Sequence, residues 1–414
     1  MSIWEDSDGE RLFRAELQAW LAGHSGDGAR LPPDPEARAG ALHAWHRTLA
    51  GAGYVGLSLP ERFGGRGLDA RHEAILNEEL GRAGAPPSPP IGHLAHALAI
   101  FGTEEQRDVH LRSMLRGDSR WCQGFSEPDA GSDLASLRTL AEHDVESGTF
   151  RISGQKVWTS LAVFADWCLL LARTEPDAAS NGSALSMFLV PMGAPGVTCR
   201  PLVTSSGTRE FAEVFFDDVV VPGANLLGVR GQGWAIAGQL LAYERGPADI
   251  GWVARLRRSL TDLMHSVDIG DLVLDRAARD GVARAHVELR ALELHVRRSL
   301  TARRDGTLPG PEGSVDKLLL TRVDQLVHEV VLAVRGADTM LLDGADLDTY
   351  LTARAASVFG GTSQIQRNIV GEHVLGLPRE PREPPDPSRS GLPNASLLMR
   401  AGDQNAEVIQ PKAS

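Results

Sequence analysis

A chain of 414 residues with 42% hydrophobic and 23% charged residues can bury a large core and build more than one domain. Its formal net charge of −12, with no basic stripe, excludes a general nucleic-acid binder. No run of about 18 apolar residues marks a membrane span, and the acidic start MSIWEDSDGERLF lacks an apolar signal core, so a cytoplasmic protein is expected.

From Trp4 to about Gly117 the pattern is helical. LFRAELQAWLAG, HAWHRTLAGAG and RHEAILNEELGRAG space their apolar residues three and four apart, and the pairs Pro86-Pro87 and Pro89-Pro90 end the third segment. HLAHALAIFG predicts a buried helix closed by Gly102, and TEEQRDVHLRSMLRG opens with Thr103 before an acidic first turn, the pattern of a capped helix. His93 and His96 lack a third ligand nearby, so they are expected to line a core or pocket and not to hold a metal. Cys122, Cys168 and Cys199 have no metal-ligand spacing and are expected to be reduced.

Near Trp121 the texture changes. TFRISGQKVWTS, WCLLLARTE, ALSMFLVPM, VTCRPLV and AEVFFDDVVVP are short, rich in β-branched or aromatic residues, and separated by turn formers. They predict a barrel or sandwich over about residues 121–230. After Gly231-Gln232-Gly233 the helical period returns in four long segments, about 234–267, 272–304, 313–342 and 347–375. Helices, then strands, then helices make an α+β chain. From Pro381 the sequence is rich in Pro, Ser and Asn and is expected to form a flexible tail, 381–414.

One stretch organises the rest. In WCQGFSEPDAGSDLAS, Trp121 to Ser136, Pro128 and Gly131 break regular structure and leave a compact loop with hydroxyls at Ser126 and Ser132. Such a loop can grip a planar, carbonyl-rich ligand. SEPDAGSD resembles the signature of the acyl-CoA dehydrogenase family of flavoproteins. Three further segments resemble the same family in its order and spacing: GYVGLSLPERFGGRGL (Gly53–Leu68), ISGQKVWTS (Ile152–Ser160) and FGGTSQIQRNIVGEHVLGLPRE (Phe359–Glu380). The resemblance implies an N-terminal helical domain (1–120), a β-domain (121–230) and a C-terminal four-helix bundle (231–380).

It also implies FAD as the cofactor. Phe125 and Ser126 are expected against the pyrimidine edge of the isoalloxazine. Trp158 is expected to pack on the ring, with Thr159 in the same contact segment and Ser160 donating to the reactive nitrogen. Thr362, Ser363 and Gln364 match the segment that reaches the dinucleotide end, and Thr362 or Ser363 can cap the helix that follows. The family's Arg-x-x-Phe-Gly stretch is absent; the corresponding region reads MHSVDIGDLVLDRAARDGVAR.

The family oxidises an acyl thioester to its 2,3-enoyl form, using a carboxylate to remove the α-proton. In many members that Glu stands just before the Gly-Thr of the last motif; here the position is Gly360. Other members carry it on the first helix of the bundle beside an Arg, and this chain reads QLLAYERGPAD, with Glu244 followed by Arg245. Glu244 is therefore the expected base, on an apolar helix face that would raise its pKa. The Gly360 N–H matches a donor to the thioester carbonyl, Arg245 accompanies the base at the substrate, and Ser132 matches the path of the pantetheine arm, which CoA and acyl carrier proteins share. An electron-transfer flavoprotein is the expected acceptor, and a homo-oligomer, tetramer or dimer, the expected assembly. Two alternatives remain at this point: a flavin-dependent oxygenase or hydroxylase on the same fold, and a non-catalytic partner of an active paralogue.

Overall fold

The computed structural model of the chain describes residues 5–24, 31–32, 34–175, 182–243, 246–270, 272–302, 310–337, 339 and 345–379. Glu244, Arg245 and the expected tail lie outside them. The chain forms two compact units. One comprises the residues up to Arg120, Val203–Thr208 and Ala235–Arg367; the other comprises Trp121–Leu202, Arg209–Trp234 and the residues from Asn368 onward.

The first unit is helical. Its N-terminal elements are α1 (Asp8–His24), α2 (Pro35–Gly51), α3 (Ala70–Ala83), α4 (Gly92–Phe101) and α5 (104–116). Local chemistry sets their ends. Asp34 and Asp69 accept the first-turn N–H groups of α2 and α3, and Thr103 and Gln106 close a reciprocal capping box at the start of α5. Gly84 and Gly117 stop α3 and α5 in the left-handed conformation. The C-terminal elements are α6 (Gly233–Tyr243, whose first two residues belong to the other unit), α7 (Ala248–Asp268), α8 (Arg276–Ala302), α9 (Gly313–Arg335), α10 (Ala345–Ala355) and α11 (Ser363–Ile369, whose last two residues belong to the other unit).

Two of the four long segments expected after Gly233 are broken. The first is interrupted before α7 opens at Ala248: Gly246 and Pro247 lie outside the helices, and Pro247 supplies no N–H to continue the ladder. The last is split between Ala355 and Ser363 by Gly360 (φ 62°) and Gly361 (φ 89°), which turn the chain out of the helix.

The N- and C-terminal helices share one core. Arg14 on α1 meets Glu78 and Glu79 on α3, and Glu78 also receives Arg297 of α8. Helices α3 and α7 cross at glycines. A Cβ built on Gly81 would lie 2.6 Å from the Gly251 carbonyl oxygen, and one on Gly251 would lie 2.7 Å from that of Asn77. Neither fits without moving backbone. Gly251→Ala is therefore expected to cost about 1–3 kcal/mol, the usual penalty of overpacking, and to lower the urea midpoint. Gly238→Ala, at an exposed position of α6 with nothing within 4 Å of the new Cβ, should not destabilise.

The second unit is an eight-stranded sheet: β1 (Trp121–Gly124), β2 (Leu140–Asp144), β3 (Thr149–Ser160), β4 (Trp167–Arg173), β5 (Leu185–Pro191), β6 (Val197–Leu202), β7 (Phe211–Pro222) and β8 (Leu226–Leu227). The strand order is β6-β7-β3-β2-β4-β5-β8, with β1 lying parallel to β4. Inward residues such as Ile152, Cys168, Phe188, Val214 and Val219 form the core. The three cysteines are free and buried.

Candidate active site

Strand β3 alternates buried and exposed side chains through Phe150, Ile152 and Lys156. Uninterrupted alternation would turn Trp158 inward. Instead the register against β7 shifts between Lys156 and Thr159, and Trp158 takes φ 58°. This bulge throws the indole outward, where it is 61% exposed and meets Phe211 edge-on at 6.1 Å. A left-handed conformation at a bulky residue is strained, and such strain gathers at functional sites. Beyond the bulge Ser160 is exposed, while Thr159 turns inward and is buried. Its Oγ1 has no partner among the described residues, so the Thr159 side chain does not share the outward surface of Trp158 and Ser160.

The loop after β1 is held from beneath. Lys156 is fully buried, and its Nζ donates to the Phe125 carbonyl at 2.9 Å and to Glu127 Oε1 at 2.8 Å. Glu127 Oε1 also accepts the Thr139 N–H and hydroxyl, and Oε2 accepts the Arg138 N–H. The Ser126 carbonyl accepts the Val157 N–H at 2.9 Å. Phe125 and Ser126 are thus fixed against β3 at Lys156 and Val157, the residues that lead into the bulge. Phe125 is buried, Ser126 is half-exposed, and Ser132 is exposed farther along the loop.

Burial alone would raise the Glu127 pKa, but the Lys156 ammonium and the donated hydrogen bonds together hold it below the ordinary carboxylate value. Burial pulls the Lys156 pKa down, with Glu127 opposing. Because the folded-state pKa of Glu127 is depressed, its stabilisation is fully present above the unfolded value of about 4.3 and is lost as pH falls through the folded value. Glu127→Gln should flatten the stability profile in that acidic window, measured as urea midpoint against pH. Lys156 and Glu127 carry the loop, yet the sequence reading assigned neither a role.

The first unit holds the start of the expected Phe359–Glu380 segment, up to Arg367. Lys317 donates to the Ala356 carbonyl and lies over the Phe359 ring at 4.7 Å. Gln366 Nε2 donates to the Gly360 carbonyl at 2.9 Å, and Thr362 Oγ1 accepts the Ile365 N–H at 3.2 Å, capping α11. The Gly360 N–H meets no acceptor among the described residues. Ser363 and Gln364 follow on the first turn of α11. Among the described residues no group of three or more His, Cys, Asp or Glu is placed to hold a metal ion.

These features suit a flavin. An outward indole can pack on a planar ring, and the Ser126 and Ser160 hydroxyls are accessible on the same unit. The comparisons agree. The sequence matches the profiles described as acyl-CoA dehydrogenase N-terminal domain (7–118), middle domain (122–219) and C-terminal domain (231–375). It is 38% identical over 389 residues to the acyl-CoA dehydrogenase IpdE1 of Mycobacterium tuberculosis, covering 89% of this chain and 98% of that protein. The fold is similar to the solved structure titled "Tcur3481-Tcur3483 steroid ACAD" (TM-score 0.80, 27% identity, 92% of this chain and 100% of that one). It is also similar to the ChsE4-ChsE5 complex from Mycobacterium tuberculosis (TM-score 0.78, 26% identity, 92% and 100%). The chain belongs to the acyl-CoA dehydrogenase family, FAD-dependent oxidoreductases acting on acyl-CoA.

Proposed function

We propose that this chain oxidises the acyl group of a CoA thioester to the 2,3-enoyl thioester, with Glu244 as the base that takes the α-proton. The observation that carries the assignment is Gly360. It has no side chain, sits at φ 62° and leaves its N–H without an acceptor among the described residues. A glycine there cannot supply a base, but its N–H can donate to the thioester carbonyl as enolate character develops, a contribution of about 3–4 kcal/mol in comparable oxyanion sites. In the sequence Glu244 and Arg245 follow Tyr243, the last described residue of α6. When bound, FAD supplies the acceptor for the β-hydride. Ser126, Trp158 and Ser160 would hold and shield its ring, while Thr362, Ser363 and Gln364 would meet its dinucleotide end.

Two similar structures are titled as steroid acyl-CoA dehydrogenases, and we extend a bulky, polycyclic acyl group to this chain. CoA is the carrier, as in the similar acyl-CoA dehydrogenases, with Ser132 on the pantetheine path. An electron-transfer flavoprotein is the proposed acceptor. Val287 and Leu294, seven residues apart on α8, are exposed and suit association with another chain of this fold, either a second copy or a paralogue as in the two-chain ChsE4-ChsE5 complex.

Incubation of the flavin-loaded protein with acyl-CoA thioesters and an artificial electron acceptor tests the reading. The product expected by mass spectrometry is two hydrogens lighter than the substrate. A product carrying an added oxygen would support the hydroxylase reading instead.

A further inference from the structure

The turn that carries the Gly360 N–H is held at its entry, its middle and its exit by different groups. At the entry, the Ala356 carbonyl accepts from Lys317 Nζ and from Thr321 Oγ1, and the Phe359 N–H reaches the Ala355 carbonyl at 3.0 Å. At the exit, the Ser363 N–H donates back to the Ser357 carbonyl at 3.0 Å, and Thr362 caps α11. The middle belongs to Gln366. Its Nε2 donates to the Gly360 carbonyl at 2.9 Å and reaches the Gly361 carbonyl more weakly at 3.5 Å. Among the described residues no other donor meets either carbonyl.

Carbonyl oxygens only accept, so the amide nitrogen of Gln366 faces the turn and its Oε1 points away. That oxygen is buried without a partner among the described residues; Gln366 itself is fully buried, whereas Gly360 is exposed. Burying an unsatisfied acceptor costs stability, and water can serve the carbonyl of an exposed glycine. Folding alone is therefore a poor reason for an amide here. Its effect is on direction. Gly360 and Gly361 take φ 62° and 89°, and glycine adopts either sign of φ about equally well, so the pair has no steric means of fixing its peptides. The peptide that carries the Gly360 N–H is instead bracketed. The Phe359 N–H anchors the peptide before it, and Gln366 anchors the one after it. Without Gln366 the second anchor is gone and the N–H is free to swing.

We propose that Gln366 is a positioning residue for the reaction: its amide holds the Gly360–Gly361 turn so that the Gly360 N–H stays aimed at the thioester carbonyl. The proposal deepens the reading that Gly360 supplies that donor, and rests on it. Because Gln366 is fully buried, it acts through Gly360 and not on the substrate. Its loss slows the chemical step and leaves folding and FAD binding in place, since Lys317, Thr321, Ser357 and Thr362 still hold the ends of the turn.

The test uses the flavin-loaded full chain with 3-cyclohexylpropanoyl-CoA and with the corresponding 2,3-enoyl thioester, isotope-labelled at its carbonyl. Gln366→Met keeps the length of the side chain and removes the donor. Its flavin should be reduced about 10- to 100-fold more slowly under anaerobic, single-turnover conditions, the scale of a misaimed donor. Its urea midpoint should stay or rise, because the orphaned oxygen is gone, and FAD should be retained. The infrared carbonyl stretch of the bound enoyl thioester reads the donor itself. It should lie below its value in water in the native chain and move back up in Gln366→Met. Gln366→Glu gives a second, independent reading. A carboxylic acid donates to the Gly360 carbonyl and a carboxylate does not, so the rate of this variant relative to native should fall as pH rises through the titration of the new carboxyl group. A native rate in Gln366→Met, a rate lost only in step with stability, or a Gln366→Glu rate that does not recover towards native at low pH would overturn the proposal. A stretch lowered in the native chain and unchanged in Gln366→Met would leave the Gly360 donor standing and refute the role of Gln366 alone. A stretch not lowered even in the native chain would refute the Gly360 donor itself. If this acyl-CoA does not reduce the native flavin, the stretch alone decides.

Discussion

Glu244→Gln is expected to bind FAD and acyl-CoA and yet reduce its flavin about 10²–10⁴-fold more slowly, the usual cost of losing general-base help. Glutamine keeps the shape of the side chain and removes its proton-accepting oxygen, so the loss belongs to the reductive half-reaction and not to binding. Stopped-flow reduction under anaerobic, single-turnover conditions separates the two. Relocating the base is a harder test than the motif alone suggests. A Cβ at Gly360 would sit 3.5 Å from Lys317 Cε, an ordinary contact, so space is available. The backbone is the obstacle: at φ 62° a glutamate pays roughly 1–2 kcal/mol for the left-handed conformation. Gly360→Glu in the Glu244→Gly background should restore only part of the rate, in a less stable protein.

Lys156→Met should destabilise the sheet unit by about 3–5 kcal/mol, the range for breaking a buried ion pair from one side. Glu127 would be left as a buried carboxylate without its cation, and the Phe125 carbonyl would lose its donor. Because these contacts fix the Phe125–Ser126 segment, FAD affinity should fall with stability, and the protein should lose its flavin during gel filtration. The double variant Lys156→Met with Glu127→Leu removes both charges and should recover part of the stability. A single variant as stable and as yellow as the native chain would show that the pair does not position the loop.

Much of this arrangement was legible in the sequence because its punctuation is local. Glycines, prolines and cap residues bound the helices and strands; three of the four motifs begin in loops between elements, while ISGQKVWTS lies on β3. Parity along β3 even contained the signal for Lys156: Phe150 and Ile152 point inward, and Lys156 lies four residues on from Ile152. A lysine at an inward position calls for a buried acid, and Glu127 is in the adjoining motif. The same parity misplaces Trp158 and Thr159, because the bulge between Lys156 and Thr159 reverses the faces. A bulge is set by pairing with β7, which the β3 sequence alone does not encode. Pro247, without an N–H, marks an interruption beside Glu244 in the sequence itself, whereas the apolar period runs across Gly360-Gly361 and hides the break there.

The most direct measurement is an anaerobic titration of the purified, FAD-loaded chain with acyl-CoA thioesters while the flavin absorption band is followed. The account predicts that the band bleaches in the native protein without oxygen or an added reductant, and that Glu244→Gln bleaches far more slowly with the same thioester. A native flavin that stays oxidised with every acyl-CoA supplied, or a Glu244→Gln flavin that bleaches at the native rate, would contradict it.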